Sequence, residues 1–502
     1  MRSLPPARLL VCGLLALLLS GWPALASERP AADSQRRTFA TSNLRNTQRL
    51  LPLNRFHWSR QAQQDPQGFY DEPAGLCEDY PPESRTPAKV ERDLAVMRQV
   101  GARVLRVGIS WLDVESEPGK YDWRFWDLLV EKTRRAGVTL IPYVCYTPYW
   151  AAQRHDNSWR QPPKDVATFG RFMYAIAHRY KGRILSWELW NEPDNPDFWL
   201  GSAEQYARLV EEGARQVRRA DPQAVLVLGG ISSAVSPFFR ELLSRYAITS
   251  TVDAVNMHGY AETWNADRIE DYPYRIASLA SDVYATGQRP DLWLAEFGYS
   301  DFRFPPGEGI WALFFDYEHT RDYQAVALIK SHVMALAAGK LSLTAWYRIN
   351  DLKPDVGVIG DENNKFLGLV DTQGHPKPAY YAFRLITRLF DQPVRCIDDQ
   401  GRIEAPPHSQ GEVHVFEKKN GERIVISWLR RPRSGEIPGA TGQAKDTRRE
   451  VVTIRLPAGS ASRLTTYDAQ GNPLPTGTIW SDNALHDVVL TGPQLFIGVL
   501  AR

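Results

Sequence analysis

Apolar runs of strand type alternate with helical patterns along most of the chain. The strand-like runs are short and rich in aromatic or β-branched residues. This β-α-β order predicts a parallel sheet, and eight such units over roughly 330 residues match a (β/α)8 TIM barrel with generous loops. The predicted strands lie near residues 54–58, 103–111, 138–144, 186–192, 224–228, 254–260, 293–298 and 343–347.

Amphipathic segments predict the helices that connect these strands. Their apolar residues recur at the spacing of one helix face, as expected for helices that cover a barrel. The clearest examples are residues 87–100, 124–136, 167–180, 203–220 and 319–338.

The pattern changes after about residue 391. Runs such as residues 413–416 and 424–428 are short, and turn clusters separate them. The sequence has no convincing helical period beyond this point. We therefore expect a barrel at residues 49–390, followed by a small β-sandwich accessory domain at residues 391–502.

The first residues have the pattern of a secretory signal peptide. Two arginines precede an apolar run at residues 9–19, and an Ala-Leu-Ala cleavage site ends at Ala26. The apolar run is too short to span a membrane. We expect a signal peptide at residues 1–26, a flexible leader at residues 27–48, and export to the periplasm or the extracellular space.

The charge of the chain excludes some classes of partner. The formal net charge is +2 at pH 7, and loss of the two arginines in the predicted signal peptide lowers it to about 0. A chain this neutral has no polybasic footprint, so neither nucleic acid nor anionic lipid is expected to bind. The sequence has no H-E-x-x-H, paired C-x-x-C or Walker motif, so we expect no metal and no cofactor. We expect a monomer.

Three cysteines follow the predicted signal peptide. Cys145 lies in an apolar run of strand type and is expected to be a small buried hydrophobe. The odd number allows at most one internal disulfide. If a pair forms, Cys77 with Cys396 is the better candidate.

Two of the strand-like runs end in a single carboxylate each. The first run ends at Glu192 and the second at Glu296. Pro193 cannot donate to a sheet ladder and Gly298 permits a tight turn, so both strands should stop just past their acid. In a parallel barrel the reactive groups gather at the C-terminal rim. Two carboxylates there are typical of glycoside cleavage, which requires a proton donor and a nucleophile or base.

Strand alternation distinguishes Glu192 from a second acid in the same run. Glu188, Trp190 and Glu192 are predicted to share one face of the strand, with Glu188 about 13 Å deeper in the barrel. A carboxylate at that depth must be paired or protonated. We therefore expect Glu188 to pair with an inward Arg or Lys, and Glu192 to reach the substrate.

Both acid-bearing motifs resemble those of a known enzyme clan. Residues 187–193, Trp-Glu-Leu-Trp-Asn-Glu-Pro, are similar to the strand-four motif of clan A glycoside hydrolases. Residues 293–298, Trp-Leu-Ala-Glu-Phe-Gly, resemble the strand-seven motif of the same clan. The chain is most similar to family 39, including its bacterial exopolysaccharide endoglycosidases. Further segments that carry this resemblance, in order, are residues 148–151, 179–184, 252–260 and 377–383.

The resemblance implies a chemical role for each acid and its neighbours. Glu192 would be the acid/base and Glu296 the nucleophile. Asn191 would hydrogen-bond the sugar 2-hydroxyl, a contact that strengthens in the transition state. Arg106, at the end of the second strand, would keep Glu296 ionised, whereas an acid catalyst needs a pKa raised by burial.

Four further residues would line the same site. Tyr260 would hydrogen-bond the nucleophile, His258 would line the same wall, and Trp346 would form the floor under the sugar. Many clan members carry His at the end of the third strand, where this chain has Tyr146, so the neighbour of the acid/base is left open.

Aromatic residues on several loops are candidates for stacking on neighbouring sugars. Because they come from different loops, they favour a polymer cleft over a closed monosaccharide pocket. The sandwich could bind carbohydrate or brace the barrel, and the lack of an aromatic cluster within it favours bracing. The candidate stacking residues are Tyr149, Trp150, Trp199 and Trp264.

Together these patterns predict a secreted or periplasmic retaining glycosidase. It would hydrolyse an extracellular or cell-envelope polysaccharide, with endo action, through a covalent glycosyl-enzyme. The alternatives are a non-catalytic polysaccharide-binding protein on the same fold, and a transglycosylase that excludes water. The presence of both acids argues against a loss of turnover.

Overall fold

The computed structural model describes residues 67–71, 74–264, 267–302, 319–430, 447–459, 461–492 and 494–501. The predicted signal peptide, the leader and the predicted strand at residues 54–58 lie outside these ranges.

Eight parallel strands close into a barrel in chain order, which confirms the predicted (β/α)8 fold. The first and last strands pair directly, with Cys77 opposite Tyr347. The first strand of the barrel begins at residue 74, later in the chain than predicted. It was missed because a run of four small and apolar residues carries little strand signal. The strands are β1 (Ala74–Cys77), β2 (Val104–Ser110), β3 (Thr139–Cys145), β4 (Ser186–Asn191), β5 (Val225–Ile231), β6 (Ala254–Gly259), β7 (Asp291–Phe297) and β8 (Leu341–Tyr347).

Helices cover the outside of the barrel. Their ends follow ordinary capping chemistry: a reciprocal Ser202–Gln205 box starts the fifth helix, and Gly101 with a φ of 80° ends the first. No helix in the described ranges is long and apolar enough to cross a membrane. The helices are α1 (Pro87–Val100), α2 (Trp111–Val114), α3 (Arg124–Arg135), α4 (Val166–Arg179), α5 (Ala203–Ala220), α6 (Pro237–Arg245), α7 (Tyr272–Ala285), α8 (Arg321–Ala338) and α9 (Pro378–Leu389).

The barrel has two hydrophobic layers, because alternate strand residues face opposite sides. Outward residues such as Leu105 and Leu294 pack with the helices. Inward residues such as Val104, Ala295 and Ala345 fill the lumen. Polar side chains at the inward positions near the C-terminal strand ends therefore converge on the mouth of the barrel.

Two antiparallel sheets follow the barrel. Their strands are β9 (Val394–Cys396), β10 (Arg402–Glu404), β11 (Gly411–Lys418), β12 (Arg423–Leu429), β13 (Arg449–Arg455), β14 (Arg463–Tyr467), β15 (Ile479–Ser481), β16 (Ala484–Thr491) and β17 (Phe496–Ala501). One has the order β10-β13-β16-β15 and the other the order β14-β17-β12-β11-β9. Apolar residues from both sheets, among them Val415, Ile454 and Leu500, form one buried cluster between them, as in a β-sandwich.

The sandwich packs against a buried ion pair of the barrel, Glu270 with Lys330. Phe416 and Trp428 belong to the hydrophobic cluster that also holds the barrel helices. Trp428 Nε1 donates to Glu270 Oε1 at 2.9 Å, and Lys330 Nζ donates to the same oxygen at 3.1 Å. Burial alone raises the pKa of Glu270, but Lys330 and the surrounding hydrogen bonds outweigh it and leave this pKa lowered. The sandwich therefore contributes to the stability of the barrel.

We expect Glu270→Ala to destabilise the protein by about 3 to 5 kcal/mol, since Lys330 would remain buried without its counter-charge. Guanidinium denaturation measures this change in the free energy of unfolding. The double variant Glu270→Gln/Lys330→Met, which removes both charges, should recover more than half of the loss. A single variant as stable as the wild type would show that this buried pair does not stabilise the fold.

The candidate pair of Cys77 and Cys396 is not bonded. Cys77 ends β1, where its Sγ lies 3.2 Å from the carbonyl oxygen of Ala295 in the lumen. Cys396 ends β9 in the sandwich, and the two residues form no disulfide. Cys145 is buried, as expected.

Candidate active site

Two carboxylates meet at the C-terminal mouth of the barrel. Glu192 directly follows β4 and Glu296 lies near the end of β7. One oxygen from each carboxylate and one ring nitrogen of His258 lie within 4.8 Å of one another. The two acids are 8% and 9% exposed. This spacing fits the separation of about 5 to 5.5 Å in retaining glycosidases, rather than the 6.5 to 9.5 Å of inverting ones.

A local break in strand geometry turns Glu192 towards Glu296. Trp190 and Glu192 have φ angles of 84° and 43°, in the left-handed region that side chains other than glycine rarely adopt. Trp190 consequently points outwards and packs against Phe169 and Trp199, while Asn191 and Glu192 both face the mouth. The predicted shared face of Trp190 and Glu192 is therefore wrong. Strain of this kind is typical of functional sites.

One arginine joins three polar side chains beneath the mouth. Arg106 Nε and Nη2 donate to the two oxygens of Glu188 at 2.8 and 2.9 Å. Its Nη1 donates to Glu296 Oε2 at 2.5 Å, and its Nη2 also donates to Asn191 Oδ1 at 2.9 Å. The predicted pairing of Glu188 with an inward cation is confirmed. Arg106 thus fixes Glu296 and Asn191 relative to each other.

The surroundings of Glu296 keep its carboxylate ionised. Burial raises the pKa of this group, but the nearby His258 and Arg106 lower it further than burial raises it. Tyr260 Oη donates to Glu296 Oε1 at 2.8 Å and favours the same charged form. The net effect is a pKa below the ordinary value for Glu, which suits a nucleophile.

His258 lies between the two acids. Its Nδ1 is 2.7 Å from Glu192 Oε1 and 3.6 Å from Glu296 Oε1. Burial lowers the pKa of the ring, but Glu296 and the hydrogen bond to Glu192 raise it, and the net shift is upwards. A Cβ at Gly230 would lie 1.9 Å from His258 Nε2, so the glycine on β5 leaves the space that this ring occupies.

Both oxygens of Glu192 accept hydrogen bonds. His258 contacts Oε1, and Asn195 Nδ2 donates to Oε2 at 2.8 Å. His258 thus places a titratable ring nitrogen in direct contact with Glu192. The sequence left open which residue lies beside the Glu192 carboxylate. That residue is His258, not Tyr146.

The prediction that Trp346 forms the floor under the sugar is wrong. Trp346 faces away from the lumen, where it is fully buried against Phe297 and His332 and donates to the Leu367 carbonyl. Alternation along β8 instead turns Tyr347 inwards, so this neighbour takes the lumen position.

Trp264 contacts the site through Tyr260, and Tyr146 lies at the end of β3. Trp264 packs edge-on against Tyr260, with ring centroids 4.4 Å apart, and its Nε1 donates to Asp361 Oδ1 at 2.9 Å. Tyr146 follows β3 with a φ of 71° and packs edge-on against Trp159. Trp264 thus lies next to Tyr260 at the edge of the site.

The other predicted stacking residues have different environments. Trp199 is 3% exposed and belongs to the core between strands and helices, so its prediction as a sugar platform is wrong. Trp150 is partly buried and donates to the Glu115 carbonyl. Tyr149 is 57% exposed and stacks on His155, with 4.1 Å between ring centroids.

Four residues of the site escaped the sequence analysis. Asn195 lies in a turn three residues after Glu192. The Asn-Glu-Pro motif gives no indication that this position belongs to the site. Asp79 follows the undetected strand β1. Tyr143 of β3 and Tyr347 of β8 face the lumen and contact Asp79. Both could have been identified if the sequence had shown which alternate residues of these strands face inwards.

Glu192, His258 and Glu296 are close enough together to ligate one metal ion. Arg106 and Tyr260, however, already contact the two oxygens of Glu296. A cation at Glu296 would therefore compete with a guanidinium and a hydroxyl donor, which makes the trio a poor metal site.

We expect Tyr260→Phe to lower kcat/KM about tenfold and to move the acidic limb of its pH profile to higher pH. Loss of the hydroxyl removes a donor that lowers the pKa of Glu296, so that pKa should rise. A pH series of kcat/KM measures this shift. An unchanged acidic limb would contradict the assignment of Glu296 as the group that must be ionised.

Comparison with known proteins adds a family match. The model of the family "Glycosyl hydrolases family 39" matches residues 122–281. This segment is about a third of the chain and contains Glu192, His258 and Tyr260, but not Glu296. The match confirms the resemblance that the motifs predict.

A beta-xylosidase of Caldicellulosiruptor saccharolyticus is 23% identical over 248 residues, which cover 45% of this chain and 47% of that protein. A family 39 glycoside hydrolase from the gut symbiont Bacteroides cellulosilyticus WH2 has a TM-score of 0.61 and 17% identity, covering 86% of this chain and 81% of that one. A monomeric beta-xylosidase from Caulobacter crescentus CB15 has a TM-score of 0.61 and 16% identity, covering 86% and 96%. These structures share the fold. The chain spans about half the length of the curated relatives it matches, for example 52% of a Geobacillus stearothermophilus beta-xylosidase.

Proposed function

We propose that this protein is a retaining glycoside hydrolase of the family 39 type. The observation that carries the proposal is the pair of buried carboxylates, Glu192 and Glu296, with oxygens within 4.8 Å of each other. Their different partners support different roles. Glu296 contacts a guanidinium and a tyrosine hydroxyl, whereas Glu192 shares a hydrogen bond with a titratable histidine.

In the first step Glu296 attacks the anomeric carbon while Glu192 donates its proton to the leaving oxygen. The glycosidic bond breaks, the leaving sugar departs with that proton, and an ester joins the glycosyl group to Glu296. In the second step Glu192 takes a proton from water, whose oxygen attacks the anomeric carbon and releases Glu296. Two inversions give net retention of configuration.

The neighbours of the two acids support this sequence of steps. Arg106 holds Asn191 by its Oδ1, which leaves the Nδ2 of Asn191 without a partner among the described residues and able to donate to a sugar 2-hydroxyl. His258 can exchange a proton with Glu192 between the two steps. The proposed steps therefore draw on side chains of this chain.

We further propose that the substrate is an extracellular or cell-envelope polysaccharide, cleaved internally, by a protein that is exported. The signal-peptide pattern supports export. Trp264 beside Tyr260 and the exposed ring of Tyr149 support contacts with more than one sugar. The beta-xylosidases among the relatives favour neutral sugars such as xylose in the cleavage subsite.

Digestion of a polysaccharide panel, with the first product followed by proton NMR, tests the proposal. The panel consists of xylan, glucan, mannan, galactan and polyuronate, each with aryl glycosides of the same sugars. The expected result is cleavage of at least one substrate, unaffected by EDTA, with the anomeric configuration retained before mutarotation. Inversion would contradict the mechanism. Binding without turnover would favour a carbohydrate-binding protein, and transfer of glycosyl groups to sugars but not to water would favour a transglycosylase.

A further inference from the structure

A third carboxylate, Asp79, lies at the mouth of the barrel and has no part in the chemistry described above. It is two residues beyond Cys77, the last residue of β1, and therefore continues the inward face of that strand. Asp79 is only partly buried. Tyr143 Oη donates to its Oδ1 at 2.9 Å, and Tyr347 Oη donates to its Oδ2 at 3.0 Å.

The two tyrosines connect Asp79 to the catalytic groups. The Tyr143 ring lies 4.3 Å from the guanidinium of Arg106, which contacts Glu296. The Tyr347 ring lies 6.4 Å from the ring of Tyr260, which also contacts Glu296. Asp79 therefore lies on the same side of the barrel mouth as Glu296.

The orientation of Tyr143 depends on an empty space in β2. A Cβ added at Gly108 would lie 2.6 Å from the Tyr143 hydroxyl oxygen. The strand therefore carries a glycine where the ring crosses the lumen to reach Asp79. This arrangement holds the aspartate in one place before any ligand arrives, as a recognition group requires.

The charge of Asp79 is not neutralised by a direct ion pair with any described residue. Next to it, Glu78 pairs with Arg348, and Asp93 pairs with Lys89 at 2.6 Å, so these four charges balance. Arg348 reaches Asp79 only through the Tyr347 hydroxyl, to which its Nη1 donates at 3.1 Å. A carboxylate has about four acceptor positions, and two tyrosine donors leave the others open to a ligand.

The barrel geometry decides which part of a sugar Asp79 meets. The leaving oxygen must lie beside Glu192 after β4, and the anomeric carbon beside Glu296 on β7. In a ring of eight strands, the side opposite β4 is β8, and β1 adjoins it. The remainder of the sugar ring therefore extends from Glu296 towards β8 and β1, where Asp79 stands.

We propose that Asp79 is a specificity-determining residue that accepts hydrogen bonds from hydroxyl groups remote from the anomeric carbon of the sugar in the cleavage subsite. Its unpaired negative charge selects neutral sugars and disfavours uronic acids there, because like charges in a partly buried site repel. This inference rests on the proposed glycosidase function and specifies its substrate class.

The test compares the wild type with Asp79→Asn and Asp79→Ala on three probes: 4-nitrophenyl β-xyloside, β-glucoside and β-glucuronide. The glucoside and glucuronide differ in charge at a single carbon. The wild type should cleave at least one neutral probe and prefer the glucoside over the glucuronide. Asp79→Ala should lower kcat/KM on the neutral probes by about 10- to 100-fold, as for loss of a charged hydrogen-bond partner. Asp79→Asn should reduce the glucoside-to-glucuronide ratio by about tenfold, because it keeps the shape and removes the charge.

Thermal unfolding and a matched control separate recognition from a structural role. Asp156→Asn removes an exposed aspartate that pairs with Arg154, and it should change neither kcat/KM nor the ratio. A ratio unchanged by Asp79→Asn in a folded, active variant would overturn the inference and leave the glycosidase proposal intact. Failure of the wild type on all three probes would overturn it as well. The glycosidase proposal has its own test in the polysaccharide panel.

Discussion

Glu296→Gln is expected to reduce hydrolysis on the order of 10⁵-fold, because an amide cannot form the glycosyl ester. Gln keeps the size of the side chain and can still contact Tyr260 and Arg106. Arg106 also retains its two hydrogen bonds to Glu188, so the variant should fold. The measurement is kcat/KM on the best substrate of the panel, with substrate binding followed by calorimetry. Binding should persist while turnover is lost.

The same variant should also change the titration of His258. Glu296 makes the largest contribution to the raised pKa of this histidine, while burial acts in the opposite direction. Removal of the Glu296 charge should therefore lower the His258 pKa, which NMR of the imidazole ring can follow. Glu204→Gln, at an exposed glutamate paired with Arg208, is the matched control and should alter neither property. Turnover within tenfold of the wild type would contradict the role of Glu296.

Glu192→Ala is expected to lower kcat by about 10² to 10⁴-fold on natural linkages, the usual contribution of general acid–base catalysis. The loss should be much smaller in the first step when the leaving group is a dinitrophenolate, which departs without a proton. The second step still needs a base, so the glycosyl-enzyme should accumulate and give a burst of phenolate. Stopped-flow absorbance measures that burst.

Azide distinguishes this role from a structural one. A small anion can enter the space of the missing carboxylate and attack the glycosyl-enzyme without a base. We expect azide to restore turnover of the dinitrophenyl glycoside and to yield a glycosyl azide of retained configuration. A variant equally slow on good and poor leaving groups, with no azide effect, would mean that Glu192 is not the acid/base.

Much of the barrel could be predicted from apolar patterning alone. Strands β2 to β8 have runs of β-branched or aromatic residues that the pattern locates to within a few residues. The first strand, Ala74–Cys77, escaped because four residues with little β-propensity give no period to detect. The antiparallel strands after the barrel were predicted by their short length and their turns.

The site was predictable where motifs identified it and unpredictable where backbone geometry decided it. Glu192, Glu296, Arg106 and Tyr260 each follow from a motif or a strand end, and the structure brings them together. Trp190 departs from strand alternation because of its positive φ, which nothing in the sequence signals. Two adjacent aromatics end β8, and alternation alone does not say which of Trp346 and Tyr347 faces the lumen.

The most direct test of the double-displacement mechanism is to trap its covalent intermediate. A 2-deoxy-2-fluoro glycosyl fluoride of the accepted sugar should inactivate the enzyme with time, since the fluorine slows release of the glycosyl group more than its formation. Mass spectrometry of the digested protein should then find one glycosyl group, attached to Glu296, in the wild type and none in Glu296→Gln. Attachment to any other residue, or turnover of the accepted sugar without labelling, would contradict the mechanism proposed for this site.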